Sequence, residues 1–409
     1  GRICGRRFPP PAFASHTQKR GNMHTPTLRR SVRTGLALIA SACLLASCQN
    51  PDNRPAEETS AAAPESSAPH SATSSTSATT EETTETSAAE HEGPRATAEG
   101  HVVVLSTGGT IASTHDKTGA VVPTVTGSKL VEPLSGTFDK DKLTLEVKDI
   151  AKLDSSAMTL DDTDTIIEAV NKELQRDDVD GVVVTHGTDS MEETAIAVDT
   201  FQDSDKPVAL TGAMRPFDDP DPDGPDNLAL AVKTVTDPSN KGRGTFIAFA
   251  DHVIPARGAF KSDTTKADGF ANNNGKKQPQ RPKALKFKPL GNTRVDIIAA
   301  YPGAPADLIQ RSLDSGAEGI VIEGMGAGNI GDELAQAAQA AAKKVPVVLT
   351  TRVDHGPVEG IYGGAGGGAT LADAGVISSG TLRAPQARML LAAAITTDTD
   401  PAELFPDAD

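Results

Sequence analysis

The stretch His101-Val-Val-Val-Leu-Ser-Thr-Gly-Gly-Thr110 decides the fold of this chain. It joins a short run that is apolar on both faces to a glycine turn, and Gly181-Val-Val-Val-Thr-His-Gly-Thr188 repeats the arrangement. Runs of this length, bounded by glycine, fit strands that are buried on both sides in a parallel sheet. Both stretches therefore indicate parallel strands that end in a tight turn carrying a threonine.

Further apolar runs of the same kind continue along the chain. They lie at residues 208–210, 246–249, 297–299, 319–322 and 345–349. Between the runs, apolar residues recur at helical spacing, at residues 163–174, 191–201, 227–235, 332–342 and 384–395. Strands that alternate with helices predict an α/β fold built on a parallel sheet.

A polar, basic stretch at residues 271–283 interrupts this alternation and is typical of a surface loop that leads to a connection between domains. We therefore expect a larger first domain at residues 100–290 and a smaller second domain at residues 291–409. The three cysteines all lie within the first 48 residues. Neither a disulfide framework nor a cysteine-based metal site is expected in the two domains.

The first part of the chain predicts export. Residues 23–47 begin with Met, continue with three arginines and reach an apolar run at residues 36–46. This is the pattern of a secretory signal, and the run is shorter than the ~20 residues of a membrane-spanning helix. It ends in Leu-Ala-Ser-Cys48, similar to a bacterial lipobox, so we expect Cys48 to carry a lipid anchor. The alternative is an ordinary cleavable signal with an incidental cysteine, and residues 1–22 are not assigned.

Residues 48–99 are mostly Ser, Thr, Ala, Glu and Pro, with no large apolar residue at a regular spacing. Such a segment cannot bury enough apolar surface to offset the conformational entropy that folding removes. We expect a disordered tether between the membrane and the folded domains. The predicted location is the cell membrane, with the protein anchored by lipid and facing the exterior or the periplasm.

Two strand ends carry residues that are suited to nucleophilic catalysis. Ligands bind beyond the carboxyl ends of the strands in open α/β sheets, and Thr110 and Thr188 each follow a glycine at such an end. A threonine hydroxyl is a poor nucleophile until a neighbouring group takes its proton. Asp189 offers a carboxylate beside Thr188, and a lysine with a lowered pKa could act as the base. We select Lys261 for that role.

The motifs Thr107-Gly-Gly-Thr-Ile-Ala112 and His186-Gly-Thr-Asp-Ser-Met-Glu-Glu-Thr-Ala195 resemble the two signature motifs of the bacterial-type L-asparaginase/glutaminase family, in its secreted, type II-like form. Shorter pieces of the family pattern occur in the family's order at residues 154–158, 211–216, 223–228, 324–329 and 379–382. The resemblance implies a flavodoxin-like N-terminal α/β domain and a smaller C-terminal α/β domain. It also implies a homotetramer, a dimer of dimers with active sites at subunit interfaces.

By position, the resemblance makes Thr110 the primary nucleophile, on a mobile loop that closes over the substrate. Thr188, Asp189 and Lys261 match the second catalytic group. The implied reaction is hydrolysis of L-asparagine to L-aspartate and ammonia through a threonine acyl-enzyme, with neither a metal nor an organic cofactor. Backbone N–H groups near Gly109 and Thr188 would stabilise the oxyanion.

The resemblance also implies a set of substrate-binding residues. Ser155 matches a residue that binds the α-carboxylate of the substrate, and Asp189 matches one that meets the α-amino group. Ser156 occupies a position where Gln or Glu often binds substrate. The turn glycines Gly109 and Gly187 complete the set.

Three further positions bear on the site. Many secreted members have a tyrosine near the hydroxyl of the nucleophile, but residues 118–125 contain none. Asn329 matches a residue that reaches the active site of the neighbouring subunit. Glu359 is the candidate for the acid that this subunit contributes.

Two other functions stay open on the sequence. One is a glutaminase-asparaginase of mixed specificity, and the other is a non-catalytic solute-binding lipoprotein, which would not need two glycine-threonine turns. The net charge of −16 argues against nucleic acid as a partner, because phosphate binding needs clustered Lys and Arg. Within the motifs, we interpret His186 as a structural residue, and Glu192 and Glu193 as charges in the first turn of a helix.

Overall fold

The computed structural model describes residues 97–274 and 279–405. The predicted signal segment, Cys48 and all but the last three residues of the predicted tether lie outside the described residues. None of the helices in the described part combines the length and the apolar character that crossing a membrane requires.

The described residues form the strands β1 to β14 and the helices α1 to α8. In chain order the strands are β1 Gly100–Gly108, β2 Ser113–His115, β3 Val121–Pro123, β4 Leu143–Leu153, β5 Gly181–Thr185, β6 Val208–Thr211, β7 Thr245–Phe249, β8 His252–Pro255, β9 Ala259–Lys261, β10 Phe270–Asn272, β11 Val295–Ala299, β12 Gly319–Gly324, β13 Val347–Thr351 and β14 Ile377–Ser378. The helices are α1 Gly127–Val131, α2 Leu160–Leu174, α3 Met191–Phe201, α4 Gly224–Thr236, α5 Asp307–Asp314, α6 Asp332–Ala341, α7 Gly368–Asp373 and α8 Ala384–Thr397.

The larger sheet has the order β4-β1-β5-β6-β7-β8, and β8 pairs antiparallel with β7. Its other strands are parallel, and counted along the chain they have the order 2-1-3-4-5 of flavodoxin-like sheets. Alternate residues of β1 enter different hydrophobic clusters. Val103 and Leu105 pack with α2 and α3, whereas Val102 and Val104 pack with α4. Helices therefore cover both faces of the sheet, as its apolar strands predict.

The smaller sheet is parallel throughout, with the order β11-β12-β13-β14. Helices α5 and α6 pack on one face through Ile309 and Leu334, and α8 packs on the other face through Leu391. Helix α8 also packs against α3 of the larger sheet, so one hydrophobic cluster is shared by both sheets. The predicted fold class, a larger parallel-sheet domain followed by a smaller α/β domain, is confirmed.

Among the elements that differ from the sequence-based expectation, α2 and β4 do so for identifiable physical reasons. Helix α2 begins at Leu160, ahead of the expected residue 163, because Thr159 and Asp162 form a capping box with hydrogen bonds of 2.8 and 3.3 Å. No strand was expected at residues 143–153, where β4 lies. Its residues alternate between apolar and polar, as they do in a partly exposed edge strand, whereas the expected strands were apolar on both faces.

Candidate active site

The residues predicted to act in catalysis gather around the carboxyl end of β1. Strand β4, which follows β1 in the larger sheet, pairs on one side of β1, and the next strand, β5, pairs on its other side. The strand order thus reverses at β1, and open α/β sheets bind ligands at such a switch point. The loops after β1, β4 and β5 carry Thr110, Ser155 and Thr188, which line one cavity of about 250 Å³. The full lining comprises Gly109, Thr110, Ser113, Val121, Pro123, Leu153, Asp154, Ser155, Gly187, Thr188 and Asp189.

Two glycines allow the loops after β1, β4 and β5 to approach one another closely. Gly109 has a φ of 81° and a ψ of 179°, a backbone conformation that is essentially confined to glycine. A Cβ on Gly109 would collide with the backbone of Gly187, and a Cβ on Gly187 would lie 2.3 Å from Oγ of Ser155. The absence of both side chains therefore lets Thr110, Ser155 and Thr188 share one small space.

Thr110 opens a short 3-10 turn directly after Gly109 and is partly buried. The backbone N–H of Ala112 and the hydroxyl of Ser113 both donate to the carbonyl of Gly109, at 3.0 and 2.8 Å, and hold this turn. The hydroxyl of Thr110 has no hydrogen-bond partner within residues 97–274 and 279–405. It is thus available to a ligand in the cavity that Thr110 lines.

The hairpin of β2 and β3 follows Thr110 and forms one wall of the cavity. Val121 and Pro123 of β3 line the cavity, so this wall is apolar. The hairpin is attached to the loop before α4 by His115, whose backbone N–H and Nδ1 contact the carboxylate of Asp218 at 2.9 and 3.0 Å. These contacts hold the pKa of Asp218 below its usual range.

Lys261, the last residue of β9, lies beside both residues with which it was predicted to act. Its Nζ donates to Oγ1 of Thr188 at 2.9 Å and forms an ion pair with Oδ1 of Asp189 at 2.8 Å. Thr188 is 8% exposed, whereas the side chain of Asp189 is 57% exposed. An amine that is hydrogen-bonded to a hydroxyl and oriented by a carboxylate has the geometry of a base paired with a nucleophile.

Glu192 also belongs to the site, through a contact with Lys261 that the sequence did not predict. It lies in the first turn of α3, as expected, but its carboxylate also accepts the backbone N–H of Lys261 at 2.5 Å. Burial raises the pKa of Glu192 to about 7, and the charge of Glu193 acts in the same direction. The sequence separation of 69 residues hides the contact, since no periodicity links α3 to β9.

Ser155 and Ser156 have different surroundings. Ser155 is buried, and its Oγ accepts the backbone N–H of Asp189 at 3.3 Å. Ser156 is exposed, and its backbone N–H and hydroxyl both donate to Asp154, at 3.0 and 2.8 Å. These bonds lower the pKa of Asp154. Asp154, which was not predicted as a site residue, lines the cavity, and Ser156 does not.

His186, the first residue of the second motif, is fully buried. Its Nδ1 contacts the carbonyl of Gly187 at 2.7 Å, and its Nε2 contacts the hydroxyl of Thr194 at 3.0 Å. Burial lowers the pKa of His186 to about 4, so the ring is neutral and holds the turn between β5 and α3.

Asn329 and Glu359 lie together in the C-terminal part and do not line the cavity of their own chain. Asn329 closes a tight turn with Met325 through two backbone hydrogen bonds of 2.8 Å, and its buried Oδ1 has no partner in the described part of the chain. Glu359 is exposed, and its backbone N–H donates to Ala327 of the same turn at 2.9 Å.

Comparison with known families agrees with this geometry. The family described as "Asparaginase, N-terminal" matches residues 101–282, and that described as "Glutaminase/Asparaginase C-terminal domain" matches residues 294–405. The chain belongs to the asparaginase family. The resemblance found in the two threonine motifs is thereby confirmed.

Individual asparaginases are similar over most of their length. L-asparaginase 2 of Bacillus subtilis is 32% identical over 324 residues, which cover 74% of this chain and 84% of that protein. A probable periplasmic L-asparaginase of Haemophilus influenzae is 32% identical over 322 residues, or 74% of this chain and 90% of that protein. The crystal structure of a probable cytoplasmic L-asparaginase from Campylobacter jejuni matches with a TM-score of 0.67 at 30% identity, over 76% of this chain and 100% of that chain. The relatives thus include proteins described as periplasmic and as cytoplasmic.

Proposed function

We propose that this member of the asparaginase family hydrolyses L-asparagine to L-aspartate and ammonia through a threonine acyl-enzyme. The observation that carries the proposal is the contact of Lys261 with both Thr188 and Asp189, at the cavity where the hydroxyl of Thr110 has no partner among the described residues. A cavity of about 250 Å³ suits a single amino acid rather than a peptide or a nucleotide. The names of the relatives support the same substrate.

The reaction follows from the placement of these groups. Thr110 attacks the carbon of the side-chain amide, and backbone N–H groups near Gly109 and Thr188 stabilise the oxyanion. The proton that Thr110 releases is passed along the Thr188–Lys261 hydrogen bond to the departing nitrogen, which leaves as ammonia. Water next attacks the ester carbon, its proton returns to the oxygen of Thr110, and L-aspartate is released.

Substrate recognition rests on the polar side of the cavity. In this proposal Ser155 binds the α-carboxylate and Asp189 binds the α-amino group, with Gly187 leaving room for both. Both Ser155 and Asp189 line the cavity, which supports these roles. Ser156 acts through Asp154, whose carboxylate it holds with two hydrogen bonds.

The proposed assembly is a homotetramer, a dimer of dimers, in which Asn329 and Glu359 of one subunit complete the site of its neighbour. The unpartnered Oδ1 of Asn329 supports this role, because a buried amide oxygen without a hydrogen bond is costly and a ligand or partner would satisfy it.

We further propose that the protein is exported and anchored to the membrane through a lipid on Cys48.

Ammonia release from L-asparagine and from L-glutamine by the purified full-length chain tests the proposed reaction. We expect Thr110→Ala and Thr188→Ala each to lower kcat for L-asparagine by about 1,000-fold or more. Thr165→Ala, on the exposed side of α2, should leave kcat unchanged. Equal turnover of L-glutamine would make the protein a glutaminase-asparaginase. Absence of ammonia from both amides, with folded protein, would reject the proposal and favour a solute-binding lipoprotein.

A further inference from the structure

Lys261 lies on a very short strand that has little support of its own. Strand β9 contains three residues and pairs with β10, another three-residue strand, in a two-stranded ribbon outside the larger sheet. An isolated ribbon of this size is marginally stable, and this one packs on the core through Ala259 and Phe270. A side chain with Nζ 2.9 Å from Thr188 and 2.8 Å from Asp189 therefore needs an external support for its backbone.

The first support is Glu192. Its carboxylate accepts the backbone N–H of Lys261 at 2.5 Å, while its own backbone belongs to the first turn of α3, two residues beyond Ser190. Helix α3 directly follows the loop of Thr188 and Asp189. The side chain of Glu192 thus connects the backbone of Lys261 to the helix that directly follows its two partners, Thr188 and Asp189.

The second support is Gln386 of α8, which is 1% exposed. Its Nε2 donates to the carbonyl of Glu192 at 3.1 Å and to the carbonyl of Ala256 at 2.7 Å, and its Oε1 accepts the backbone N–H of Gly258 at 2.9 Å. Ala256 and Gly258 lie in the segment that leads into β9. The amide of Gln386 therefore joins the start of α3 to the base of the ribbon from a third element.

We propose that Glu192 and Gln386 are positioning residues that together set the distance between Lys261 and the Thr188–Asp189 pair. Neither residue lines the cavity, so both act through the backbone of Lys261 rather than on the substrate. The proposal rests on the proposed function for its kinetic consequence, but its geometric consequence is independent of that function. Helix α8 packs on the smaller sheet, and this connection makes the C-terminal part a determinant of the N-terminal site.

The test compares Glu192→Ala, Glu192→Gln, Gln386→Leu and the matched control Glu193→Ala in the full-length chain. Glu193 is the neighbouring carboxyl, its pKa is also raised by burial, and it makes no contact with Lys261. Kinetics with L-asparagine give kcat and KM, and the melting temperature reports stability. Because an ångström of displacement can cost about 100-fold in rate, we expect Glu192→Ala and Gln386→Leu to lower kcat by about 10- to 100-fold and to change KM by less than about threefold.

The remaining variants separate positioning from general destabilisation. Glu192→Gln keeps an oxygen that can accept the N–H of Lys261, so its kcat should return to within about threefold of the wild-type value. Glu193→Ala removes the neighbouring carboxyl but no contact of Lys261, so kcat should be unchanged within about threefold whatever the melting temperature. Wild-type kcat in Glu192→Ala, or an equal loss of kcat in Glu193→Ala, would overturn the proposal.

A crystal structure of Glu192→Ala gives a readout that does not depend on activity. We expect Nζ of Lys261 to move beyond hydrogen-bonding distance of Thr188, from 2.9 Å in the wild type. If the wild-type protein releases ammonia from neither amide, the proposed function is rejected. The displacement of Lys261 in Glu192→Ala would still support the positioning role. Unchanged Lys261 contacts would overturn the positioning role whatever the activity.

Discussion

A Cβ atom on Gly109 would lie 2.5 Å from the backbone nitrogen of Gly187. No carbon approaches a backbone atom that closely without displacing it, so the loops of the two threonine motifs can touch only because residue 109 is glycine. The φ of 81° and ψ of 179° at Gly109 add a second restriction, since residues with a side chain avoid this conformation.

We expect Gly109→Ala to separate the two loops, lowering kcat/KM for L-asparagine by about 100-fold or more. The free energy of unfolding should fall by about 1–3 kcal/mol from backbone strain, with an added loss from the overlap. Gly119→Ala is the matched control, because Gly119 has a φ of 84° but no atom within 4 Å of the added Cβ. We expect Gly119→Ala to have a lower free energy of unfolding than the wild type but an unchanged kcat/KM. Wild-type activity in Gly109→Ala would contradict the need for this close approach.

A second prediction concerns the amine of Lys261. Lys261→Met keeps the length of the side chain but removes the group that bonds Thr188 and Asp189, so kcat should fall by about 100- to 10,000-fold. Lys266→Met is the control, since Lys266 is 71% exposed and its Nζ pairs with Asp263 at 3.2 Å. Kinetics of both variants with L-asparagine check the prediction. Similar losses in both would show that a cation in this segment, rather than the contact with Thr188, is required.

The sequence could predict the residues of the two motifs but not all their contacts. Thr110 and Thr188 were found because each follows a glycine at the end of an apolar strand, and this local pattern is read directly from the chain. Strand β4 was not predicted, because alternation of apolar and polar residues at an edge differs from the doubly buried pattern. The presence of Asp154 in the cavity lining was not predicted either. Asp154 accepts hydrogen bonds from Ser156, two residues further along the chain, and no periodicity shows which of the two side chains lines the cavity. Such choices depend on three-dimensional packing rather than on periodicity.

A third prediction concerns the attachment of the β2–β3 hairpin. Asp218→Ala removes both contacts with His115, so the hairpin should open more often. Because an exposed pair of this kind contributes up to about 1 kcal/mol, tryptic cleavage after Lys117 in the exposed hairpin turn should become about three- to fivefold faster. Asp226→Ala, on the exposed first turn of α4, should cleave at the wild-type rate. Equal rates in Asp218→Ala and the wild type would show that other contacts hold the hairpin.

A fourth prediction follows from the burial of His186. Its pKa is about 4 in the folded chain and 6.5 in the unfolded chain, so between these values the unfolded state binds a proton that the folded state does not. The contribution of the neutral, buried His186 to the free energy of unfolding is therefore complete above pH 6.5. It is lost as the pH falls towards 4, by up to about 3 kcal/mol in total.

His186→Asn removes this titration, while its amide can still bond the carbonyl of Gly187. Urea unfolding at a fixed protein concentration should show the wild type as the more stable protein at pH 7, with the difference shrinking by about 2–3 kcal/mol at pH 4.5. Other groups titrate in both proteins and cancel in the difference. A constant difference would mean that His186 has the same pKa in the folded and unfolded states.

The last prediction tests whether subunits share active sites. Thr110→Ala and Asn329→Ala should each be inactive alone, and mixing them should restore activity if Asn329 reaches the site of its neighbour. A mixed dimer then contains one site with Thr110 from one subunit and Asn329 from the other. Random pairing of equal amounts makes half of the dimers mixed, each with one intact site of two, so about a quarter of the wild-type activity should return.

Co-refolding supplies the subunit exchange that the mixture needs, and ammonia release measures the recovery. The control mixture is Thr110→Ala with Thr188→Ala. Both residues line the cavity of the same chain, so no pairing of these two variants restores an intact site. Recovery with Asn329→Ala but not with Thr188→Ala would establish a shared site. If Asn329→Ala is active alone, or if dimers form without recovery, the side chain of Asn329 does not act in the site of the neighbouring subunit.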